Sequence, residues 1–418
     1  MDWLQFCRTR VPKETVVNEN EEILYLGADY FQKFSELVAK TSNRTIANYL
    51  FWRIADYSVD FLSKPIRLVK LKFHQELLGT KTLNEGWKTC ITGAVQSLKH
   101  AVGAMYIQQK PEYNDKKGAT KIVESLIESV KEMAKQSTWM NEKEMLAVDK
   151  ILHNINTIIG LPEEYLDNSW LTKYYGSIVI SNDTSYYDTI LILNKFTLLT
   201  EYNILRRSVQ DTQWETINDV TVVNSLFITT NSFLSIPVAY LRTPFYSQYL
   251  QQYLNFAALG VDAGYSVTYG ISNTLISMKS EVYHNKSQCF VKQYEDYMED
   301  VKKLQINATD KARKLVASNV SFKASYKAFK HWQLENRKQV KSLPGITYTA
   351  EQLYWIASAQ IYCNKDRPEE TLRRATVSDH ALEQFRVIGS MQNIPEFSKD
   401  FNCDLGSYMN PTEKCEIF

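Results

Sequence analysis

The chain has 418 residues, a mass of 48.5 kDa and a hydrophobic fraction of 44%. Lys and Arg number 48 against 47 for Asp and Glu, so the formal net charge is +1. This balance argues against nucleic acid or an anionic membrane surface as a partner. No segment reaches the ~18 apolar residues that a membrane-spanning helix needs, so we expect no membrane span in this chain.

The first half of the chain has the periodicity of helices. In segment 121–135, apolar residues such as Val123 and Leu126 recur at three- and four-residue spacing, and charged residues occupy the opposite face. Segments 31–62 and 96–109 show similar patterns. These segments predict amphipathic helices packed on a core.

A further helix is predicted to begin after Asn141, a good N-cap residue followed by acidic side chains. Its expected end is Gly160, with Pro162 just beyond. The polar residues 111–118 predict an exposed loop.

The composition changes around residues 205–245, which are rich in Val, Ile, Thr and Phe and contain few charges. This composition predicts strands. We therefore place a domain boundary here, between a helical domain over 1–215 and a mixed domain over 216–418.

Cysteine usage and glycan acceptor sequences favour an extracellular protein. The six cysteines have no CxxC spacing, which disfavours zinc knuckles and favours isolated disulfides. The N-terminus has no apolar leader, so we expect an exported protein whose leader is absent from this chain. Five Asn-X-Ser/Thr sequons predict glycosylation at Asn43, Asn182, Asn285, Asn307 and Asn319.

The C-terminal motifs carry a family resemblance. LPG at 343–345, QIYCNKDRPEE at 360–370, FRVIGSMQN at 385–393, EFSKDFNC ending at Cys403 and SYMNPTEKC ending at Cys415 stand in a specific order and spacing. Together they resemble the closing region of the neprilysin family of zinc endopeptidases, which includes the endothelin-converting enzymes.

The resemblance implies a fold that is mainly α with a small β component. Two lobes are expected: a partial N-terminal helical domain over 1–215, and a thermolysin-like (zincin) lobe over 216–418. It also implies a truncated member, since the chain is expected to begin inside the helical lobe.

In that family, one helix carries HExxH, whose histidines bind zinc while the Glu activates water. The matching positions here hold Tyr265, Ser266 and Tyr269. The family's third ligand, a Glu, corresponds to Lys314, and a supporting Asp corresponds to Ser318. No HxxxH or HxH pair stands elsewhere in the chain, so we expect that zinc binding is lost and that no cofactor is used.

Three other residues match family positions that hold the peptide: Asn224, His380 and Arg386. They either still hold a peptide or brace the walls of the former cleft through internal hydrogen bonds. The tyrosines at 265 and 269 either fill the space left by the metal or form a stacking platform. Lys314 is expected to meet a carboxylate or to point into solvent.

The resemblance also implies a disulfide between Cys289 and Cys415. The family partners of Cys90, Cys363 and Cys403 lie upstream of residue 1, so these thiols and Cys7 are left without an assigned partner. They raise the prospect of a disulfide-linked or non-covalent dimer.

The sequence therefore predicts a secreted, non-catalytic pseudopeptidase that binds a peptide or a protein. One alternative is a metalloendopeptidase that cleaves small peptides, as the family does. Another is a regulatory subunit that pairs with an active relative.

Overall fold

The computed structural model describes residues 2–12, 15–23, 27–109, 115–160, 163–208, 221–297, 308–378 and 381–418. The chain forms two compact units. The first contains Met1–Leu98 and Asn168–Thr216, and the second contains Lys99–Asp167 and Ile217–Phe418. Residues 99–167 thus pack with the C-terminal half, whereas the domain division at 215/216 stays a prediction.

Helices dominate both units, which confirms the predicted class of mainly α with a small β component. No described helix combines the length and apolar character of a membrane span. The α-helices are α1 (Trp3–Arg10), α2 (Ala28–Lys40), α3 (Asn43–Ser58), α4 (Lys64–Leu78), α5 (Gly86–Ser97), α6 (Lys99–Gln109), α7 (Lys116–Gln136), α8 (Glu142–His153), α9 (Asn168–Tyr175), α10 (Tyr186–Asn203), α11 (Gln252–Asn255), α12 (Val261–Ser277), α13 (Glu281–Tyr297), α14 (Thr309–Glu335), α15 (Ala350–Gln360), α16 (Pro368–Val377), α17 (Glu383–Gln392) and α18 (Pro395–Asp400).

The second unit contains a three-stranded sheet built from β1 (Asn156–Ile159), β2 (Leu226–Ile228) and β3 (Phe233–Ile236). The strand order is β1-β3-β2, with β1 parallel and β2 antiparallel to β3. The central strand β3 is buried along its whole length. Strands were predicted in the segment that forms β2 and β3, and the structure confirms them there.

The amphipathic helix predicted around residues 121–135 is confirmed as α7. Val123, Leu126 and Val130 are buried in the core of the second unit, while Glu124 and Glu128 are exposed. The loop predicted over 111–118 is wrong at its C-terminal end, because α7 begins at Lys116. Residues 111–114 lie outside the described residues.

Helix α8 begins as predicted but ends early. Asn141 Oδ1 accepts from the Glu144 N–H at 2.9 Å, and the Glu144 carboxylate accepts from the Asn141 N–H at 3.0 Å, which forms a capping box. The predicted end at Gly160 is wrong, since α8 ends at His153 and β1 follows. The β-branched residues of β1 pair with β3, a tertiary contact that overrides the helical pattern.

Small residues in α12 and just before its first residue let this part of the chain approach α14 closely. A Cβ on Gly260 would lie 2.4 Å from Ser325 Oγ, and one on Gly264 would lie 3.2 Å from Ser321 Cβ. Thr268 Oγ1 also donates to the carbonyl of Ala317 on α14 at 2.9 Å. This helix pair forms the centre of the second unit and carries the matched zinc positions.

The first unit buries few large side chains. Helix α3 has apolar residues around its whole circumference, so one buried face cannot cover them all. Tyr49, Phe51, Trp52 and Ile54 are each more than half exposed. This exposure leaves a large apolar surface on the first unit.

Candidate functional site

Helix α12 places the two tyrosines of the matched zinc positions one turn apart on the same side. The rings of Tyr265 and Tyr269 stack, with centroids 6.0 Å apart and planes inclined by 20°. Both side chains are half-buried. Aromatic surface thus stands where the family places two imidazoles.

Arg386, on α17, lies between two aromatic rings. Its guanidinium carbon is 4.3 Å from the ring centroid of Tyr265 and 4.6 Å from that of Tyr362. The side chain is buried, with only 8% of its surface exposed. A desolvated guanidinium in this position gains about 2 kcal/mol from a cation–π contact.

The matched positions on α14 join the same cluster. Arg386 Nε donates to Ser318 Oγ at 3.1 Å, and Ser318 Oγ donates to the carbonyl of Lys314 at 2.9 Å. The Lys314 ammonium lies 5.6 Å from the centroid of the Tyr269 ring. Lys314 is 6% exposed, so the expectation that it points into solvent is wrong.

Ser266, at the position that the resemblance matches to the family's Glu, belongs to a second hydrogen-bond network. Its hydroxyl lies 2.6 Å from Ser225 Oγ, which donates to Asp262 Oδ2 at 2.7 Å. The Tyr240 hydroxyl also donates to Asp262 Oδ2 at 2.7 Å. Burial and the neighbouring Asp262 both raise the pKa of Tyr240. This network ties α12 to the residue that precedes β2.

Of the three predicted peptide-holding residues, the structure describes Arg386 and Asn224. Arg386 belongs to the tyrosine cluster, whereas Asn224 is exposed next to Ser225 at the start of β2. The Ser225 N–H donates to the Tyr240 hydroxyl at 3.1 Å. His380 lies outside the described residues.

Sequence reasoning did not identify Tyr362, Asp262, Ser225 and Arg313 as parts of this region. Arg313 places its guanidinium carbon 5.5 Å from the centroid of Tyr269. Asp262 stands four residues before Ser266, which is the spacing of one helical turn, so its position on that face could have been recognised. The others are brought in by tertiary packing.

The donor set does not fit zinc. Burial raises the pKa of the Tyr265 and Tyr362 hydroxyls, the latter to about 12, and Arg386 opposes both shifts. Neutral phenols are poor zinc ligands compared with imidazole, thiolate and carboxylate. Within the described ranges, no group of three or more His, Cys, Asp or Glu side chains could hold a metal ion.

The local charges also oppose a divalent cation. Two unit charges 4 Å apart interact by about 4 kcal/mol at an effective dielectric constant of about 20. Arg386 and Lys314 are buried cations at this site, so each would repel zinc. The residues described at the matched positions therefore do not fit a zinc ion.

A network of ion pairs borders Arg386 on α16 and α17. Arg374 Nη1 donates to Asp366 at 2.6 Å, and Arg374 Nη2 pairs with Glu383. Asn364 Nδ2 also donates to Glu383 at 2.8 Å. Glu383 is engaged by Arg374, and its charge, together with that of Asp262, also acts on the neighbouring Arg386 guanidinium.

The predicted disulfide and glycosylation sites have different outcomes. Cys289 and Cys415 form a disulfide with their Cα atoms 5.6 Å apart, as predicted. The structure argues against the predicted glycosylation of Asn319. This residue is 4% exposed and its Nδ2 donates to the carbonyl of Ser390, so a glycan has no room in the folded chain. Asn307 lies outside the described residues. The remaining sequons are exposed: Asn43, Asn182 and Asn285.

Comparison with known proteins identifies the family. Two family models, both described as Peptidase family M13, match residues 1–162 and 224–417. The chain is 30% identical to neprilysin-2 of Drosophila melanogaster over all of this chain and 57% of that protein. It is 27% identical to human endothelin-converting enzyme 1 over all of this chain and 55% of that protein. The chain thus spans little more than half the length of these relatives.

Solved structures share the fold. The zinc metalloprotease ZMP1 of Mycobacterium tuberculosis, in complex with inhibitor, superposes with a TM-score of 0.75 and 18% identity, covering 93% of this chain and 60% of that chain. PepO from Lactobacillus rhamnosis gives a TM-score of 0.70 and 17% identity, covering 85% and 55%. These likenesses confirm the predicted fold class. With the two matching family models, they lead to one conclusion: this chain belongs to peptidase family M13, the family of neprilysin and the endothelin-converting enzymes.

Proposed function

We propose that this chain is a non-catalytic, extracellular member of its family that acts by binding a peptide or a protein. The supporting observation is the buried guanidinium of Arg386 between Tyr265 and Tyr362, with Ser318 at its Nε. A fixed side-chain cation occupies the region where the family's metal would need anionic or imidazole donors.

Two features favour an extended peptide as the ligand. Arg386 Nη1 makes no hydrogen bond with the described residues, so it can donate to a peptide carbonyl or carboxylate. In the described sheet, β2 pairs on one side with β3 and has no strand on its other side. An added peptide strand could use this edge, with Asn224 exposed at its start.

The first experiment measures metal content and cleavage on the purified chain. We expect well under one zinc per chain after dialysis, and no cleavage of a quenched fluorescent peptide library. Stoichiometric zinc together with chelator-sensitive cleavage would instead establish the family activity, metalloendopeptidase, and would overturn the proposal.

The second experiment tests peptide capture. A peptide that binds should raise the melting temperature of the wild-type chain, because ligands that bind only the folded state stabilise it. Arg386→Lys keeps the positive charge but loses the planar fork, so we expect the peptide-dependent shift to fall strongly. An unchanged shift would rule out Arg386 as the peptide contact.

Pairing with a second polypeptide is the second candidate function. It is favoured by the exposed apolar surface of α3, where Phe51 is 72% exposed and Trp52 55% exposed. The paired substitution Phe51→Ser and Trp52→Ser should abolish co-purification with a catalytic relative from the same source. Co-purification that survives these substitutions would contradict the use of this surface.

A further inference from the structure

A cavity of about 400 Å³ is formed by residues of the first unit alone. Its walls are the 3₁₀ turn Val59–Phe61, one face of α4, the loop 79–85 and α5. Its volume falls within the range of small-molecule sites, about 300–1,000 Å³. Leu71 and Leu83 add apolar surface, and most of the other lining side chains are polar.

Arg67, on α4, brings a positive charge without a counter-ion to this cavity. It makes no hydrogen bond and no ion pair with the described residues. Of its three guanidinium nitrogens only Nε is closed to solvent, so Nη1 and Nη2 are accessible. Burial raises the pKa of the Tyr186 hydroxyl, and the nearby Arg67 cation opposes that shift. A half-buried guanidinium without a carboxylate can pair with an anionic group of a ligand.

The other formal charges at the cavity are paired with each other. Among the described lining residues Asp60 is the one acid, and its Oδ2 accepts from Lys70 Nζ at 2.8 Å. The same ammonium donates to the carbonyl of Asp56 at 3.1 Å. The surrounding segment is basic as well: over residues 60–96, Lys and Arg number six against three for Asp and Glu. The local charge therefore favours an anionic ligand.

Neutral hydrogen-bonding groups line the cavity together with the guanidinium. Thr89, Thr92 and Gln96 follow one face of α5, at spacings of three and four residues, and Asn84 stands in the preceding loop. None of these four side chains makes a hydrogen bond with the described residues. Hydroxyl and amide groups both donate and accept hydrogen bonds. They therefore complement a ligand that carries several hydroxyl groups.

We propose that this cavity binds a sugar acid, a monosaccharide that carries a carboxylate. The carboxylate accepts from Nη1 and Nη2 of Arg67, whose planar fork matches its two oxygens. The ring hydroxyls exchange hydrogen bonds with Thr92, Gln96 and Asn84. Every lining residue belongs to the first unit, so the site is independent of the matched positions around Arg386 in the second unit.

Isothermal titration calorimetry of the purified chain tests the proposal, with D-glucuronate as the probe at constant ionic strength. We expect saturable binding to the wild type. D-Glucose has a similar ring without the carboxylate, and acetate has the carboxylate without the ring, so both should bind more weakly. Arg67→Gln removes the charge and the fork, and it should weaken glucuronate binding at least about tenfold. Thr92→Val keeps the side-chain shape and removes the hydroxyl, so it should weaken binding about threefold.

The matched control is Lys72→Gln, which changes an exposed lysine of the same helix outside the cavity lining. It alters the charge as Arg67→Gln does, and its affinity for glucuronate should equal that of the wild type. If Arg67→Gln fails to fold, Thr92→Val against Lys72→Gln decides the question.

Absence of saturable glucuronate binding to the wild type overturns the proposal. So does an affinity that Arg67→Gln and Thr92→Val leave unchanged, or acetate or glucose bound as tightly as glucuronate. Equal losses in Arg67→Gln and Lys72→Gln overturn it as well, because they would show only a general attraction to a basic helix.

Discussion

The guanidinium carbon of Arg386 lies 4.3 Å from the centroid of the Tyr265 ring, so a buried cation faces the residue at the first matched zinc position. Tyr362 covers the other side at 4.6 Å, and Ser318 accepts from Nε. The arginine therefore joins α17 to α12 and α14 within the second unit. These contacts help to hold the three helices together.

The ring of Tyr265, rather than its hydroxyl, is expected to stabilise this cluster. The hydroxyl is buried and has no hydrogen-bond partner among the described residues, so Tyr265→Phe should change the free energy of unfolding by less than about 0.5 kcal/mol or increase it. Tyr265→Ala should lower it by about 3–5 kcal/mol through the loss of packing and of the cation–π contact. Urea denaturation measures both, and equal losses would contradict the assignment to the ring.

Acid should weaken the ion-pair network beside Arg386. Burial alone would raise the pKa of Glu383, but the hydrogen bonds from Arg374 lower it below its ordinary value of 4.5. A carboxyl whose pKa is lower in the folded state stabilises the fold above the unfolded-state pKa, and this stability is lost as pH falls through the folded-state pKa.

Because Glu383→Gln removes the ion pair with Arg374, the melting temperature of the wild type should exceed that of the variant at pH 7. The difference should shrink as the pH falls below 4.5. A difference that stays constant from pH 7 to pH 3 would exclude this linkage. Glu369→Gln, at an exposed residue of α16, serves as the control.

The close approach of α14 to the chain just before α12 should make Gly260 intolerant of a side chain. An added Cβ would lie 2.4 Å from Ser325 Oγ, which cannot simply turn away because it donates to Phe256 O at 2.6 Å. We expect Gly260→Ala to cost about 1–3 kcal/mol of unfolding free energy. Gly86→Ala has no atom within 4 Å of the new Cβ and should be neutral or stabilising. Similar effects of the two substitutions on thermal unfolding would contradict this packing.

Removal of the Cys289–Cys415 disulfide should lower stability substantially. The bond closes a loop with a sequence separation of 126, and the loss of a disulfide of this kind costs about 2–5 kcal/mol. The double substitution to Ser, compared by denaturant titration with Cys363→Ser at an exposed free cysteine, measures this cost. Equal stability of the two variants would show that the crosslink contributes little.

Glycosylation should follow exposure among the described sequons. After expression through a secretory pathway, Asn43→Gln, Asn182→Gln and Asn285→Gln should each remove one glycan mass, because these side chains are exposed. Asn319→Gln should remove none, since Asn319 is buried and bonded to Ser390 O. Intact-mass spectrometry with and without glycosidase gives the answer, and a glycan on Asn319 would require a different local fold.

Much of this protein is determined locally by its sequence. Periodic apolar residues are sufficient to predict α7, because a helix with one apolar face has one way to bury it. The cap at Asn141 is equally local, since its partner Glu144 lies three residues away. The substitutions at Tyr265, Tyr269 and Lys314 also follow from the sequence, because ligand chemistry depends on residue type.

Tertiary structure decided what long-range packing controls. The end of α8 at His153 depends on the pairing of β1 with β3. In this pairing Asn156 lies opposite Phe233, which is 77 residues further along the chain. The burial of Asn319 and Lys314 depends on the helices packed against α14. Arg386 reaches Tyr265 only because α12, α14 and α17 pack together. Local pattern fixes which face a helix buries, but the identity of the residue it meets there is set by folding of the whole unit.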